Sequence, residues 1–379
     1  MTAILFGSLA LLGTIITTIQ ALLTHRFRRS APPFFGDGLH FRQAGSFISI
    51  LKPVCGLDDE LEENLVSFTR LEGIRYEVII SAEEADDPAL EVVRRVMRAH
   101  PSAPFRIVID GGSRTGVVNR KVERLIAAAR VAKGDLYVIS DSNVRVERAD
   151  LARTLQAFAD PRVGCVSNLF VGAGASNFGA VIESLHLLGF VLPGAVSVRV
   201  LDRLVVVGKS MAITPRALAA AGGFERFRRV LAEDQAIAVA VKAVGYQVVL
   251  SPIVVRNVVV HRSLKRAIDR QVRWNKIRYS FSHWTYASEL LLNPLPFALV
   301  IAFVAPAVLL GVLAARYAQF VLLDQTTGAG MTWKQIALVP LLDLAMLYSW
   351  FVPFFSNKVT WRGYRASLGR GTEMIQIAA

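Results

Sequence analysis

The chain is uncharged and mostly apolar from residue 2 to residue 23, and Arg26, Arg28 and Arg29 follow directly. A run of this kind can cross a hydrocarbon core, which takes roughly 20 helical residues. No basic segment precedes it and no small-residue cleavage site is evident, so residues 1–25 are expected to be a retained transmembrane anchor rather than a signal peptide. The basic residues after the anchor place the next part of the chain on the cytoplasmic side and the amino terminus outside.

From residue 47 to about residue 260 the pattern changes to short β-rich runs alternating with helical stretches. Strands are expected at 47–51, 76–81, 105–109, 136–140, 163–168 and 247–251. Helices are expected at 61–71, where Leu61, Leu65 and Phe68 share a face, and at 88–99, where Pro88 suits a first turn. This alternation predicts an α/β domain at 45–285 with a largely parallel sheet, and such sheets bind ligands beyond the carboxyl ends of their strands. Asp87 and Asp141 lie just past two of the expected strands.

After Trp274 the chain turns apolar again. Residues 290–315 suit a span that Pro294, Pro296 and Pro306 kink or delimit, and residues 336–355 suit a second, interrupted by Asp343. Two transmembrane helices and a basic tail carrying Lys358, Arg362, Arg365 and Arg370 would fill residues 286–379, the tail on the same side as the α/β domain. The run 185–198, with His186 and Pro193 inside it, is too short and interrupted for a clear span. It fits an interfacial helix near the lipid surface or a plain core helix, in which His186 would be a satisfied core histidine.

Composition supports this division. Of 379 residues 53% are hydrophobic and 19% charged, with a mean hydropathy of +0.43, as for a globular domain joined to membrane segments. The net charge of +13 fits a basic face on anionic lipid better than nucleic acid once spans are present. Cys55 and Cys165 supply neither a disulfide framework nor a zinc site.

Several residues are candidates for chemistry. Asp141, after an apolar strand, suits Mg²⁺ or Mn²⁺ that also holds a diphosphate, and Asn143 offers a second oxygen; a turn cap is the alternative. Asp87 would accept hydrogen bonds from a base, although its neighbour Asp86 suits a helix cap. Lys121 can reach a phosphate as a mobile point charge or stand as a surface lysine. Asp234, beside Glu233 at a helix start, can take a proton from a hydroxyl or simply complement the helix dipole. Arg270, Arg273 and Trp274 can grip a diphosphate or an acceptor, or belong to a basic amphipathic helix on anionic headgroups. Gly208, Lys209 and Ser210 look like the end of a phosphate-binding loop, but Arg203 stands where that motif requires glycine.

In order along the chain, the segments at 51–58, 86–89, 119–122, 140–146, 232–234 and 270–274, with Trp361-Arg362-Gly363 in the tail, resemble the ceramide glucosyltransferases and their bacterial relatives, which include hopanoid-associated glycosyltransferases. The resemblance implies a GT-A-like nucleotide-sugar-binding domain with one N-terminal and two C-terminal transmembrane helices, a UDP-sugar donor, a membrane lipid acceptor and a divalent metal, Mg²⁺ or Mn²⁺. It implies a nucleotide contact at Asp87, a metal-diphosphate contact at Asp141 and a catalytic base at Asp234, beside which Lys121 is expected to bind the donor. Asn143 departs from family patterns with glycine or aspartate at that position. The expected protein is a membrane-bound inverting hexosyltransferase, UDP-glucose to ceramide, in a bacterial inner membrane. A hopanoid N-acetylglucosaminyltransferase, a processive polysaccharide synthase and a non-catalytic membrane-anchored nucleotide-binding protein are the alternatives.

Overall fold

The computed structural model describes residues 1–31, 46–111, 117–203, 205–361 and 364–376. It comprises two compact units: Ser30–Phe170 with Asp202–Val258, and Met1–Arg29 with Val171–Leu201 and Val259–Ala379.

The first unit is built on an eight-stranded sheet in the order β3-β2-β1-β4-β7-β6-β8-β5. Its strands are β1 Phe47–Pro53, β2 Arg75–Ala82, β3 Phe105–Ile109, β4 Leu136–Ser140, β5 Val144–Arg145, β6 Val163–Ala173, β7 Ser210–Ile213 and β8 Gln247–Val258. The central strands read as continuous apolar runs because both sheet faces are covered. On one side Leu51, Ile79, Ile139, Met211 and Ile213 pack with Val122, Leu125 and Ile126 of helix Arg120–Val131 and with Ile237 and Val241 of helix Glu233–Ala243.

The sheet is mixed rather than largely parallel. β1 to β4 are mutually parallel, but β7 runs antiparallel to both β4 and β6. A four-residue strand leaves too little alternation to register in sequence, and the same holds for β5. β6 and β8 outlast their expected ends, at 11 and 12 residues. Helix Pro88–Ala99 has the expected bounds, but its cap is Asp87 and not Asp86.

The helical unit contains Thr2–Arg29, Phe178–Val200 and Pro306–Thr327, each long and apolar enough to cross a membrane, and the shorter apolar Val339–Phe354. The expected span at 290–315 is displaced. Leu295–Val300 is a separate short helix, and a new helix starts at Pro306 and continues past Arg316 to Thr327. Arg316 does not end it because both Nε and Nη2 donate to the Asp343 carboxylate, at 3.0 and 2.7 Å. Residues 185–198 fall inside the Phe178–Val200 helix, which stays helical through a π turn at Leu187–Val191. His186 is buried there, 6.2 Å from the Trp274 ring, but neither ring nitrogen has a hydrogen-bond partner among the described residues, so it is not a satisfied one.

The tail forms a three-stranded antiparallel sheet, β9 Lys358–Trp361, β10 Tyr364–Leu368 and β11 Met374–Gln376. Arg362 and Gly363 of the expected tail motif lie outside the described residues.

Candidate active site

The site is assembled beyond the carboxyl end of β4. Asp141 follows that strand directly, and β7 lies alongside with Ser210 opposite Ser140, which brings Gly208 and Lys209 to the same edge. Helix Arg120–Val131 starts here because the Asn119 side chain accepts from the Lys121 and Val122 N–H groups. The other end of the Asn119 amide donates to Glu233 Oε2 at 2.9 Å and to the Val230 carbonyl at 2.8 Å. One asparagine thus sets the start of two helices, and with them the positions of Lys121 and Asp234.

Lys121 Nζ stands 2.9 Å from Asp141 Oδ1 and 2.9 Å from Glu233 Oε1. Burial strips its hydration, but the carboxylates of Asp141, Glu233 and Asp234 outweigh that and keep its pKa above the usual lysine range. Lys209 Nζ stands 2.9 Å from Asp141 Oδ2 and donates to Asn143 Oδ1 at 3.0 Å. Burial alone would raise the Asp141 pKa, but the two ammoniums hold it well below the usual carboxylate range. From β1, the fully buried Lys52 donates to the Asp141 carbonyl at 2.7 Å; burial pushes its pKa down to about 7 against the opposing pull of Asp141 and Asp58.

Asp234 lies in the first turn of helix Glu233–Ala243. Its Oδ2 accepts from the Gly208 N–H and its Oδ1 from the Gln235 N–H. Burial and the neighbouring Glu233 raise its pKa to about 6, with Lys121 and the two backbone N–H groups opposing the shift. A carboxyl group poised there is ionised at neutral pH yet basic enough to take a proton.

Asp87 has a structural duty. Its Oδ1 caps helix Pro88–Ala99 through the Ala89 N–H at 2.9 Å and also accepts from the Gly56 N–H at 3.0 Å. Gly56 adopts φ +67°, a left-handed turn that favours glycine. Two residues on, Asp58 accepts from the Ser142 hydroxyl next to Asp141. The loop after β1 therefore ties Asp87 to the Asp141 edge of the sheet.

The structure brings Lys121, Asp141, Asn143 and Asp234 together in the α/β unit. The basic-aromatic box belongs to the helical unit, on helix Leu264–Phe281. There Arg270 Nη1 lies 3.1 Å from Oε1 of the buried Glu183, whose Oε2 lies 3.2 Å from Arg262 Nε, and the Arg270 guanidinium covers the Trp274 ring at 4.2 Å. Arg273 and Trp274 are half-buried. Along the same helix Lys276 donates to the Lys358 carbonyl at 2.6 Å, so the segment is not a simple basic stripe.

Lys52 and Glu233 lie in two of the segments that carry the family resemblance but have no role assigned from the sequence. Gly208 and Lys209 are in the site although the Walker pattern fails, because they form the turn that leads into β7 rather than a strand-to-helix phosphate loop.

Among the described residues no group of three or more His, Cys, Asp or Glu side chains is placed to hold a metal ion. Mg²⁺ and similar ions ask a protein for only one or two carboxylates and take other oxygens from phosphate and water. Asp141 fits that donor set when a diphosphate shares the ion, and does not fit a self-sufficient protein cage.

The family model described as Glycosyl transferase family 21 matches residues 5–374. Two curated relatives from Caenorhabditis elegans are similar: ceramide glucosyltransferase 3, 26% identical over 265 residues (68% of this chain, 56% of that protein), and ceramide glucosyltransferase 1, 28% identical over 268 residues (68% and 55%). The chain spans about half the length of these relatives. Among solved structures, the mannosyltransferase PcManGT from Pyrobaculum calidifontis, in complex with GDP-Man and Mn²⁺, matches with a TM-score of 0.51 at 18% identity, covering 92% of this chain and 99% of that one. That likeness bears on the fold, a GT-A-like α/β domain with apolar helices at the amino end and in the carboxyl-terminal third. The match over nearly the whole sequence places the chain within known chemistry: it belongs to glycosyl transferase family 21.

Proposed function

We propose that the protein is a membrane-bound inverting glycosyltransferase that moves a hexose from a UDP-sugar to a lipid hydroxyl, with UDP-glucose and ceramide as the substrates. The observation that carries this reading is Asp234: a half-buried carboxylate, fixed by two backbone N–H groups and raised to about 6, beside the Lys121–Asp141 pair. Ceramide and glucose are suggested by the ceramide glucosyltransferases it resembles, and a nucleotide sugar and a divalent metal by the mannosyltransferase solved with GDP-Man and Mn²⁺.

In this reading the acceptor hydroxyl gives its proton to Asp234 as its oxygen forms the bond to the anomeric carbon. The bond from that carbon to the diphosphate breaks on the opposite face, so configuration inverts, and Asp234 later returns the proton to solvent. Lys121 bears on the developing diphosphate charge. Asp141 would hold a divalent ion, which would supply further neutralisation of the same charge. Asp87 would contact the nucleotide. The α/β unit would be cytoplasmic, and the protein would reside in a bacterial inner membrane.

Incubating the detergent-solubilised protein with UDP-glucose, Mn²⁺ and ceramide should yield a singly glucosylated lipid and UDP. Transfer only from UDP-N-acetylglucosamine to a hopanoid would move the assignment to that acceptor. A polymeric product would favour a polysaccharide synthase, and UDP binding without transfer to any lipid a non-catalytic role.

The pH dependence follows from Asp234. Below its folded-state value the carboxyl is protonated and cannot accept the hydroxyl proton. kcat/KM should therefore be flat above about pH 7 and fall tenfold per pH unit below about pH 6. A profile flat to pH 5 would contradict the base assignment.

Gly208 gives a second check. A Cβ added there would stand 3.0 Å from Asp234 Cβ and 3.0 Å from Lys121 Nζ. Gly208→Ala should displace the base by a few tenths of an ångström and lower the transfer rate on the order of tenfold, with little change in unfolding temperature. Equal rates for the variant and the parent would show that Asp234 is not held to that tolerance.

A further inference from the structure

Lys209 stands where no motif calls for a lysine. Its side chain is 14% exposed, with Nζ at 2.9 Å from Asp141 Oδ2 and 3.0 Å from Asn143 Oδ1. Lys121 takes the other carboxylate oxygen, Oδ1, at 2.9 Å. The oxygens that the sequence offers to a divalent cation therefore each face an ammonium. A cation arriving alone would meet two like charges at contact distance, and Coulomb repulsion in a buried site is stronger than in water. A polyanion changes that balance, because it can draw the ammoniums off.

The backbone and side chain of Lys209 are suited to different tasks. Its carbonyl accepts from the Asp141 N–H at 3.3 Å, and the next residue opens β7, so the main chain is fixed. The ammonium rides on a flexible four-carbon stem that can swing by several ångströms.

We infer that Lys209 is a diphosphate-binding residue that keeps Asp141 and Asn143 closed to a divalent cation until the donor's phosphates draw its ammonium away, which makes metal and nucleotide binding mutually dependent. This rests on the nucleotide-sugar reading above and goes beyond it, since it assigns a ligand contact and an order of events to a residue outside the expected motifs.

The test uses the full chain in detergent, with free Mn²⁺ followed by electron paramagnetic resonance and UDP binding by calorimetry. For the unaltered protein, saturating UDP should tighten Mn²⁺ binding by at least about tenfold, and Mn²⁺ should tighten UDP binding by the same factor. Lys209→Gln should shift the two affinities in opposite directions: several-fold tighter Mn²⁺ binding without nucleotide, and at least about tenfold weaker UDP binding with Mn²⁺ present. Lys209→Arg should restore most of the UDP affinity. Loss of a merely structural ion pair would weaken both together, and that result, or no change in either, would overturn the inference. Should Lys209→Gln fail to fold, the coupling in the unaltered protein decides: Mn²⁺ affinity indifferent to UDP refutes the proposal. Unaltered protein that binds no UDP even with Mn²⁺ would sink the nucleotide-sugar reading itself, a failure distinct from one confined to Lys209.

Discussion

Replacing Asp234 by asparagine should lower the transfer rate by about 10²–10⁴-fold, the range that a positioned general base contributes. Size and shape are conserved, so the change isolates proton acceptance. An amide cannot take the hydroxyl proton, and the acid limb of the pH profile should vanish with it. The substitution also has a structural cost. Asp234 accepts backbone N–H groups on both oxygens, from Gly208 and Gln235, and asparagine can serve only one of them. The unsatisfied donor is worth about 1–3 kcal/mol. A lowered unfolding temperature is therefore expected, and UDP affinity with Mn²⁺ present must be measured beside the rate. Near-normal UDP binding with transfer reduced at least a hundredfold supports the base role. Turnover close to the parent's would remove Asp234 from it.

The second large effect is expected in the helical unit. Asp343 is fully buried and meets Arg316, itself 2% exposed, through two hydrogen bonds. Arg316 Nη1 also donates to Gln319 Oε1 at 3.1 Å, and the Asp343 carbonyl accepts from Asn293 at 2.7 Å. Arg316→Met would leave a carboxylate buried with no counter-charge, a loss of about 3–5 kcal/mol for broken pairs of this kind. Removing both charges, as in Arg316→Met with Asp343→Leu, should recover most of that loss, because the desolvation of both ions disappears together with their attraction. Thermal unfolding in detergent checks this. A double variant as unstable as the single one would mean that the pair does more than neutralise itself.

How much of this was legible beforehand depended on how far each signal extends along the chain. Strands buried on both faces show as apolar runs, which is why β4 is expected with the bounds it has, whereas β3, an edge strand with Arg106 and Ile109 exposed, is legible from its Ile-Val-Ile run. β7 was not, being only four residues long, and with it went the placement of Gly208 and Lys209. Asp141 and Asp234 stand out through the ordered set of segments they belong to, since carboxylates in the first turn of a helix are common along this chain. Lys52 and Glu233 lie in two of the same segments but receive no role there, since a lysine in a strand or a glutamate in a first turn has ordinary explanations. Only the three-dimensional meeting of β1, β4, β7 and two helix starts makes them a cluster. Asp343 looked like a blemish in a span because its partner lies 27 residues earlier. The same blindness ended the preceding span at Arg316.

The first helix has a further consequence. Its Thr17 and Thr18 hydroxyls receive the Gln319 amide at 3.1 and 2.9 Å, His25 meets the Thr326 hydroxyl at 2.8 Å, and Gly13 packs against the Leu291 carbonyl so closely that a methyl group would not fit. One face of this segment is therefore fitted to its neighbours as an interior wall is, while Leu11, Ile15, Ile19 and Leu22 stay exposed on the other. In evolutionary terms it is not exchangeable: an unrelated hydrophobic segment would keep the protein in its compartment while leaving the bundle without one of its members.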